Sequence, residues 1–159
     1  MTSWTDVTGA TPELADAVRQ RFEAHGLGLL ATLRSDGFPR ISGIEPLFDL
    51  DELWLGMMAG SLKARDLHRD PRCALHNATV DKDVHDGDVK ITGRAVAAAG
   101  AVRERYMAAW RDHRGTDVPE PFELFHLDVT ELARIRPNVD HLVIESWRVG
   151  RGLRVVNRR

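Results

Sequence analysis

Ser61, Lys63 and Arg65 stand at the start of a short helix, and their types and spacing are those of an anion site. The stretch Leu53 to Leu75, LWLGMMAGSLKARDLHRDPRCAL, opens as an apolar strand and breaks at Ala59-Gly60. Ser61 follows where an N-cap belongs, its hydroxyl able to accept from the free N–H groups of the first turn. The helix runs from about Leu62 to Arg69, and Pro71 stops it because Asp70, preceding a proline, avoids helical geometry. Strand, glycine, serine and helix together aim N–H groups and partial positive charge at one spot. Lys63 and Arg65 lie in the first turn, where a cation opposes the helix dipole. Holding a phosphate is one reason for them to be there; solvation of a connecting helix is the other.

Further positive charge sits on separate elements. Arg40 and Ser42 share one face of the strand before, and Lys90 and Arg94 one face of a strand after. The tail WRVGRGLRVVNRR adds Arg148, Arg151, Arg154, Arg158 and Arg159. Trp147 at its head offers an indole that packs on a flat ring while neighbouring cations hold an acidic substituent. The alternative is a solvated basic end.

Other chemistries fail on spacing. Asp81, Asp83, Asp86 and Asp88 resemble a calcium loop, but the glycine comes one place late and Thr92 stands where a bidentate glutamate belongs. The seven histidines are scattered, with no pair at helical i, i+4 spacing, which argues against zinc. There is no G-x-S-x-G elbow, and Gly26-x-Gly28 runs into a strand rather than a helix. Gly60-Ser61 lacks the Gly-Lys-Ser/Thr of a phosphate loop.

The elements that position these residues follow from periodicity. Thr11-Pro12 starts a helix that carries Leu14, Val18 and Phe22 on one face and ends at Gly26. Gly28 to Leu33 is a buried strand, Arg34 to Gly37 a hairpin turn, and Phe38 to Phe48 the returning strand, with Pro46 marking a bulge or an edge. Arg72 to Ala78 is a strand and Thr79 to Gly87 an acidic loop. Asp88 to Ala98 alternates, with Val89, Ile91, Gly93 and Ala95 on one face. Gly100 to Arg114 is a second amphipathic helix bearing Val102, Tyr106, Ala109 and Trp110. Phe122 to Val129, His141 to Arg148 and Leu153 to Val156 complete the strands. Seven or so strands with few long helices fit a mostly β, α+β fold: a small, predominantly antiparallel barrel with flanking helices.

Composition sets the bounds. A chain of 159 residues suits one domain, with residues 1–25 a helical lead-in and 26–158 the barrel core. A net charge of −2 argues against general nucleic-acid binding, and no apolar run reaches membrane-spanning length. The N-terminus lacks the basic and apolar regions of a secretory signal, and Cys73 is the single cysteine, so a reduced, cytoplasmic setting is expected.

The pattern S-x-K-x-x-x-L-x-x-D/N-P-x-x-A-L, here Ser61 to Leu75 after a strand ending in a small residue, resembles the pyridoxamine 5′-phosphate oxidase-like flavoprotein superfamily. LATLRSDGFPRISGI resembles its opening hairpin, DVKITGRAVA its strand with a central glycine, and the Trp147 segment its C-terminal tryptophan–arginine stretch. The likeness covers about residues 26 to 158. It implies a split β-barrel, usually a homodimer with flavin mononucleotide (FMN) at the subunit interface. By the same likeness Arg40, Ser61 and Lys63 would hold the phosphate, with Ser42 also at the cofactor. Gly56 and Met57 would lie by the isoalloxazine, Asp88 or Lys90 would approach from the next strand, and Trp147 and Arg158 would come from the tail. A related branch uses the deazaflavin coenzyme F-420 in the same groove.

Two positions depart from the oxidase itself. It carries arginine beside the lysine, where this chain has Leu62, and a histidine two places after a tail arginine, where this chain has Val156. Both help to grip pyridoxamine phosphate, so the resemblance implies an oxidoreductase of another small organic substrate, using FMN or the deazaflavin. Two alternatives remain: a non-catalytic flavin- or haem-binding protein, and a dimer that has kept only the barrel. Substrate choice falls to loops Thr79–Gly87 and Gly115–Pro121, which carry no motif.

Overall fold

A computed structural model describes residues 1–159. Two helices lead in, α1 (Trp4–Ala10) and α2 (Pro12–Glu23). The strands β1 (Gly28–Leu33), β2 (Pro39–Ile44), β3 (Pro46–Asp49) and β4 (Glu52–Met58) precede α3 (Leu62–Arg69). Then come β5 (Arg72–Asn77), β6 (Asp88–Ala98), α4 (Ala101–Arg114), β7 (Phe122–Asn138), β8 (His141–Arg148) and β9 (Gly152–Arg158). No helix is long and apolar enough to cross a membrane.

All strand pairs are antiparallel, in the order β2-β1-β5-β6-β7-β4-β3, with β8 and β9 continuing from β7. The sheet does not close, and the architecture is a split β-barrel of α+β type. Strand β7 causes the split. One edge pairs with β6 along most of its length, while the other takes β4 at residues 122–126 and β8 at residues 131–138. Between these two regions the β6–β7 register shifts, and Thr130 is the extra residue. The N-terminal segment pairs with β7 there, Val129 N donating to Thr2 O at 3.0 Å.

Four expectations need correction. Residues 38–48 form two strands, because the chain breaks at Glu45 ahead of Pro46. Strand β7 runs nine residues beyond Val129, through a half-exposed stretch whose burial barely alternates. The last strand is longer than Leu153 to Val156, spanning Gly152–Arg158. Helix α1 was not anticipated, although Ser3 and Asp6 form a capping box at its start, with Ser3 Oγ accepting from Asp6 N at 3.0 Å and Asp6 Oδ2 from Ser3 N at 2.9 Å.

Two apolar clusters organise the packing. The larger lies between the barrel sheet and α1–α2, where Trp4 meets Phe48 edge-on with centroids 4.7 Å apart. The smaller lies under α4, whose Tyr106, Ala109 and Trp110 pack on Leu47, Trp54, Phe122 and Leu124. Gly93 in β6 faces the larger cluster. A Cβ there would stand 2.4 Å from Asp128 O and 2.9 Å from Leu127 Cγ, too close for any side chain. Gly93→Ala is therefore expected to destabilise the fold by about 1–3 kcal/mol through overpacking, read as a lower urea midpoint at unchanged slope.

Candidate functional site

Helix α3 is fastened across the β1–β2 hairpin by one face. Lys63, Asp66 and Arg69 lie along that face at successive i+3 steps. Lys63 Nζ donates to Gly43 O at 2.6 Å. Asp66 Oδ2 accepts from Thr32 Oγ1 at 2.9 Å and from Arg40 Nε at 2.7 Å. Arg69 donates to Leu33 O and, at 3.1 Å, to Asp66 Oδ1. The other flank is held by Glu123 of β7, which accepts from Gly60 N at 2.7 Å and pairs with His68 Nε2. Those two contacts, the Gly60 bond first, hold the Glu123 carboxyl below its ordinary range.

Asp66 is 3% exposed. Burial alone would raise its pKa, but hydrogen bonds from Arg40, Thr32 and Arg69 outweigh it and hold the carboxyl below its ordinary value. Two arginines thus share one carboxylate, leaving net positive charge at this face of the helix. Lys63 adds to it. Burial lowers the pKa of its amine, and nearby Glu45 pulls in the other direction. Ser61 caps the helix, its Oγ accepting from Ala64 N at 3.4 Å.

A cavity of about 260 Å³ opens beside Lys63, between β4 and α4. Gly43, Glu45, Gly56 and Lys63 line it together with Tyr106 and Trp110 of α4. The space a side chain would take at Gly56 is filled from α4: a Cβ there would lie 2.4 Å from the Tyr106 hydroxyl. That hydroxyl and the Trp110 indole N–H are both buried without a hydrogen-bond partner.

The residues singled out in the sequence fall into three places. Gly56, Met57 and Lys63 line the cavity, next to the Ser61 cap, and Arg40 joins them through Asp66. Asp88 and Lys90 belong to the outer face of β6. Lys90 borders a separate hollow of about 470 Å³ with Leu29, Ile41 and His76, while Asp88 accepts from Thr79 Oγ1 at 2.8 Å. The hollow and the cavity adjoin on β2, where Ile41 lines one and Gly43, two residues on, lines the other. Ser42 is turned away from both, half-buried on the Arg40 face. The third place is the tail. Arg158 is exposed on β9, and Trp147 is a core residue, 5% exposed and paired with Leu132 and Leu153. Its indole serves packing rather than a surface ring.

Sequence reasoning missed Asp66, Tyr106 and Trp110 as site residues. For Asp66 the available signal was an acid three places after Lys63 and three before Arg69. Tyr106 and Trp110 read as ordinary core positions of an amphipathic helix.

A family model for pyridoxamine 5′-phosphate oxidase matches residues 14–136. Among solved structures, PhzG from Burkholderia lata 383, in complex with tetrahydrophenazine-1-carboxylic acid, is 19% identical, with a TM-score of 0.64 over 96% of this chain and 91% of that one. A heme binding protein from Mycobacterium smegmatis is 15% identical, with a TM-score of 0.58 over 89% and 87%. An F420 reductase is 18% identical, with a TM-score of 0.53 over 67% and 87%. At these identities the likeness to the three structures is one of fold.

Asp66→Asn is expected to lower stability at pH 7 by about 3 kcal/mol, because it removes the charge from a buried ion pair. The folded carboxyl titrates below its unfolded value of about 3.9, so its contribution is complete above that pH and is lost as pH falls through the lower folded value. In urea unfolding, the gap between parent and variant should therefore hold from pH 7 to about 4 and close below it. A gap that persists in strong acid would place the stabilising pair elsewhere.

Proposed function

The chain belongs to the pyridoxamine 5′-phosphate oxidase family, and from that premise we propose that it is an FMN-dependent oxidoreductase acting on a small organic substrate other than pyridoxamine phosphate. The observation that carries this reading is the excess positive charge of α3 and the hairpin beside a cavity walled by Gly56. Lys63 has only a backbone carbonyl as partner, and Nε is the one Arg40 nitrogen engaged by Asp66. That donor set fits a phosphate: Arg40, Ser61 and Lys63 would hold it, with Gly56 and Met57 flanking the ring. FMN supplies hydride chemistry at its ring, which is why the chain needs no acid–base pair of its own. The protein's part is to anchor the phosphate, orient the ring, and keep water from the apolar wall.

We place a second copy of the chain on the exposed face of β1 and β2, where Leu29 and Ile41 are 45% and 71% exposed. Apolar side chains so exposed on neighbouring strands mark an interaction surface. In such a homodimer Asp88, Lys90 and Arg158 belong to the interface side of the cofactor, Ser42 stays on the Arg40 side of β2 with the phosphate group, and Trp147 drops out of the set. A cytoplasmic setting accords with the single buried thiol, Cys73.

The deazaflavin is the second cofactor to weigh, and the ion pairs disfavour it. Its phosphodiester and acidic tail call for a basic track running outward from Lys63. Arg69 is held by Asp66 and Arg72 by Asp70, whose carboxyl these bonds lower to about 2. Of the helix-side candidates only Arg65 has no carboxylate partner; the tail arginines Arg151, Arg154 and Arg158 also have none, but they stand at β9 rather than on α3.

Lys63→Ala is expected to leave the melting temperature nearly unchanged and to weaken FMN binding about ten- to a hundredfold, the worth of one charge-assisted hydrogen bond. Unchanged affinity in a flavin titration would remove Lys63 from the site. FMN is further expected to bind more tightly than the deazaflavin at both low and high salt. Tighter deazaflavin binding that falls more steeply with salt would show that the basic track operates despite its carboxylates.

A further inference from the structure

Asp66 gathers two arginines on one carboxylate, and what it leaves free on Arg40 matters as much as what it binds. Thr32 and Arg40 stand directly opposite each other on β1 and β2, and both donate to Asp66 Oδ2, at 2.9 and 2.7 Å. Oδ1 accepts from Arg69 at 3.1 Å. A guanidinium is planar, so fixing Nε against a buried carboxylate fixes the plane of the whole group. The two terminal nitrogens of Arg40 are then held in a set direction without a protein partner, on a side chain that is 25% exposed. That pair of nitrogens is the edge with which an arginine grips a phosphate through two parallel bonds.

Asp66 itself faces no ligand, being almost wholly buried with both oxygens occupied. Its sign is also wrong for an anion site, because a carboxylate near a phosphate repels it. Two effects therefore oppose each other. Taking the charge away relieves the repulsion, but it also releases Arg40, and a long side chain that rotates freely must be ordered again each time a ligand binds. The repulsion is the smaller of the two, since Arg40 and Arg69 already cover the carboxylate's field. Orientation wins.

We infer that Asp66 is a positioning residue for the cofactor's phosphate, acting through Arg40: it touches no ligand, and removing its charge weakens phosphate binding instead of strengthening it. The inference deepens the reading of an FMN site and rests on it for the identity of the ligand. The phosphate contact can be tested without flavin.

A double-mutant cycle on the full chain separates the two effects. The probes are FMN and riboflavin, followed by flavin titration, and inorganic phosphate, followed by equilibrium dialysis. In Asp66→Asn an amide nitrogen replaces one acceptor oxygen and turns a donor toward an arginine or Thr32, which releases the plane of Arg40. FMN and phosphate should each bind about tenfold more weakly, while riboflavin, which lacks the phosphate, should bind as it does to the parent. In an Arg40→Met background the same substitution should cause no further loss, because the group it orients is gone. Thr32→Val keeps every charge and loosens the same carboxylate, and should weaken FMN in the same direction, by about threefold. Unchanged or tighter FMN and phosphate binding by Asp66→Asn would overturn the proposal. So would an equal loss for riboflavin, or a loss that persists in the Arg40→Met background. Should Asp66→Asn not fold, Thr32→Val decides, and unchanged FMN affinity there overturns it. A parent that binds phosphate and follows the cycle but takes up no flavin would keep the role of Asp66 and remove the cofactor reading. A parent that binds neither would overturn both.

Discussion

A carboxylate buried to 3% exposure must be satisfied on both oxygens, and Asp66 meets that demand with groups from three parts of the chain. Thr32 comes from β1, Arg40 from β2 and Arg69 from α3 itself. Each bond fixes one more degree of freedom of the helix relative to the hairpin. Together they set its axial position and its roll, because Lys63 and Arg69 must also reach the backbone carbonyls of Gly43 and Leu33. The position of Lys63 beside the cavity is thus a consequence of Asp66. An apolar residue at 66 could pack there, but it would leave the register of helix on hairpin underdetermined.

The split in the sheet gives the anchored helix a cavity to face. A strand of 17 residues cannot keep one neighbour along its whole second edge when β4 has only seven, so β7 gives its far half to β8. Near that junction Gly93 lets β6 approach the Asp128 carbonyl, and the register slips by one residue. On the β4 side, the alternation of the strand sends Leu55 and Met57 into the larger cluster and Trp54 toward the smaller one under α4. Gly56 shares the Trp54 face. Its missing side chain admits the Tyr106 hydroxyl, which brings α4 down onto the sheet at the cavity edge. One glycine therefore couples the packing of a helix to the shape of the site.

Much of this was legible wherever the cause is local. The Ser61 cap, the Pro71 stop, the Gly37 turn and the alternation of β6 each depend on residues a few places apart, and all are found where the sequence sets them. Reading failed where the cause is remote. Asp66 looks like any helix-surface acid until Arg40 and Thr32, 26 and 34 residues away, are folded against it. The second half of β7 has Leu132 as its one buried residue and β9 has no buried face, so alternation announces neither the end of β7 nor the two ends of β9 beyond Leu153 to Val156. Trp147 misled for the opposite reason. Its basic neighbours point outward along β8 and β9, while the indole, facing the other way, completes the core.

The distribution of charge finally explains why so many arginines yield so small a site. Most lie within ion-pair distance of a carboxylate: Arg21 with Asp86, Arg34 with Asp36, Arg72 with Asp70, Arg111 with Asp117, Arg148 with Glu131. An exposed pair of this kind adds little stability but cancels the field that would attract a polyanion. At the cavity the cation stands apart from these pairs. Lys63 has no carboxylate within that reach, a half-buried amine whose pKa burial lowers, and one carbonyl partner. A cation in that condition gains from any anion that reaches it, because pairing offsets a desolvation cost the fold has already incurred. The fold needs Arg40 and Arg69 for Asp66. It holds Lys63 in place without needing its charge, and among the cations of the helix face that charge is the one left for a ligand.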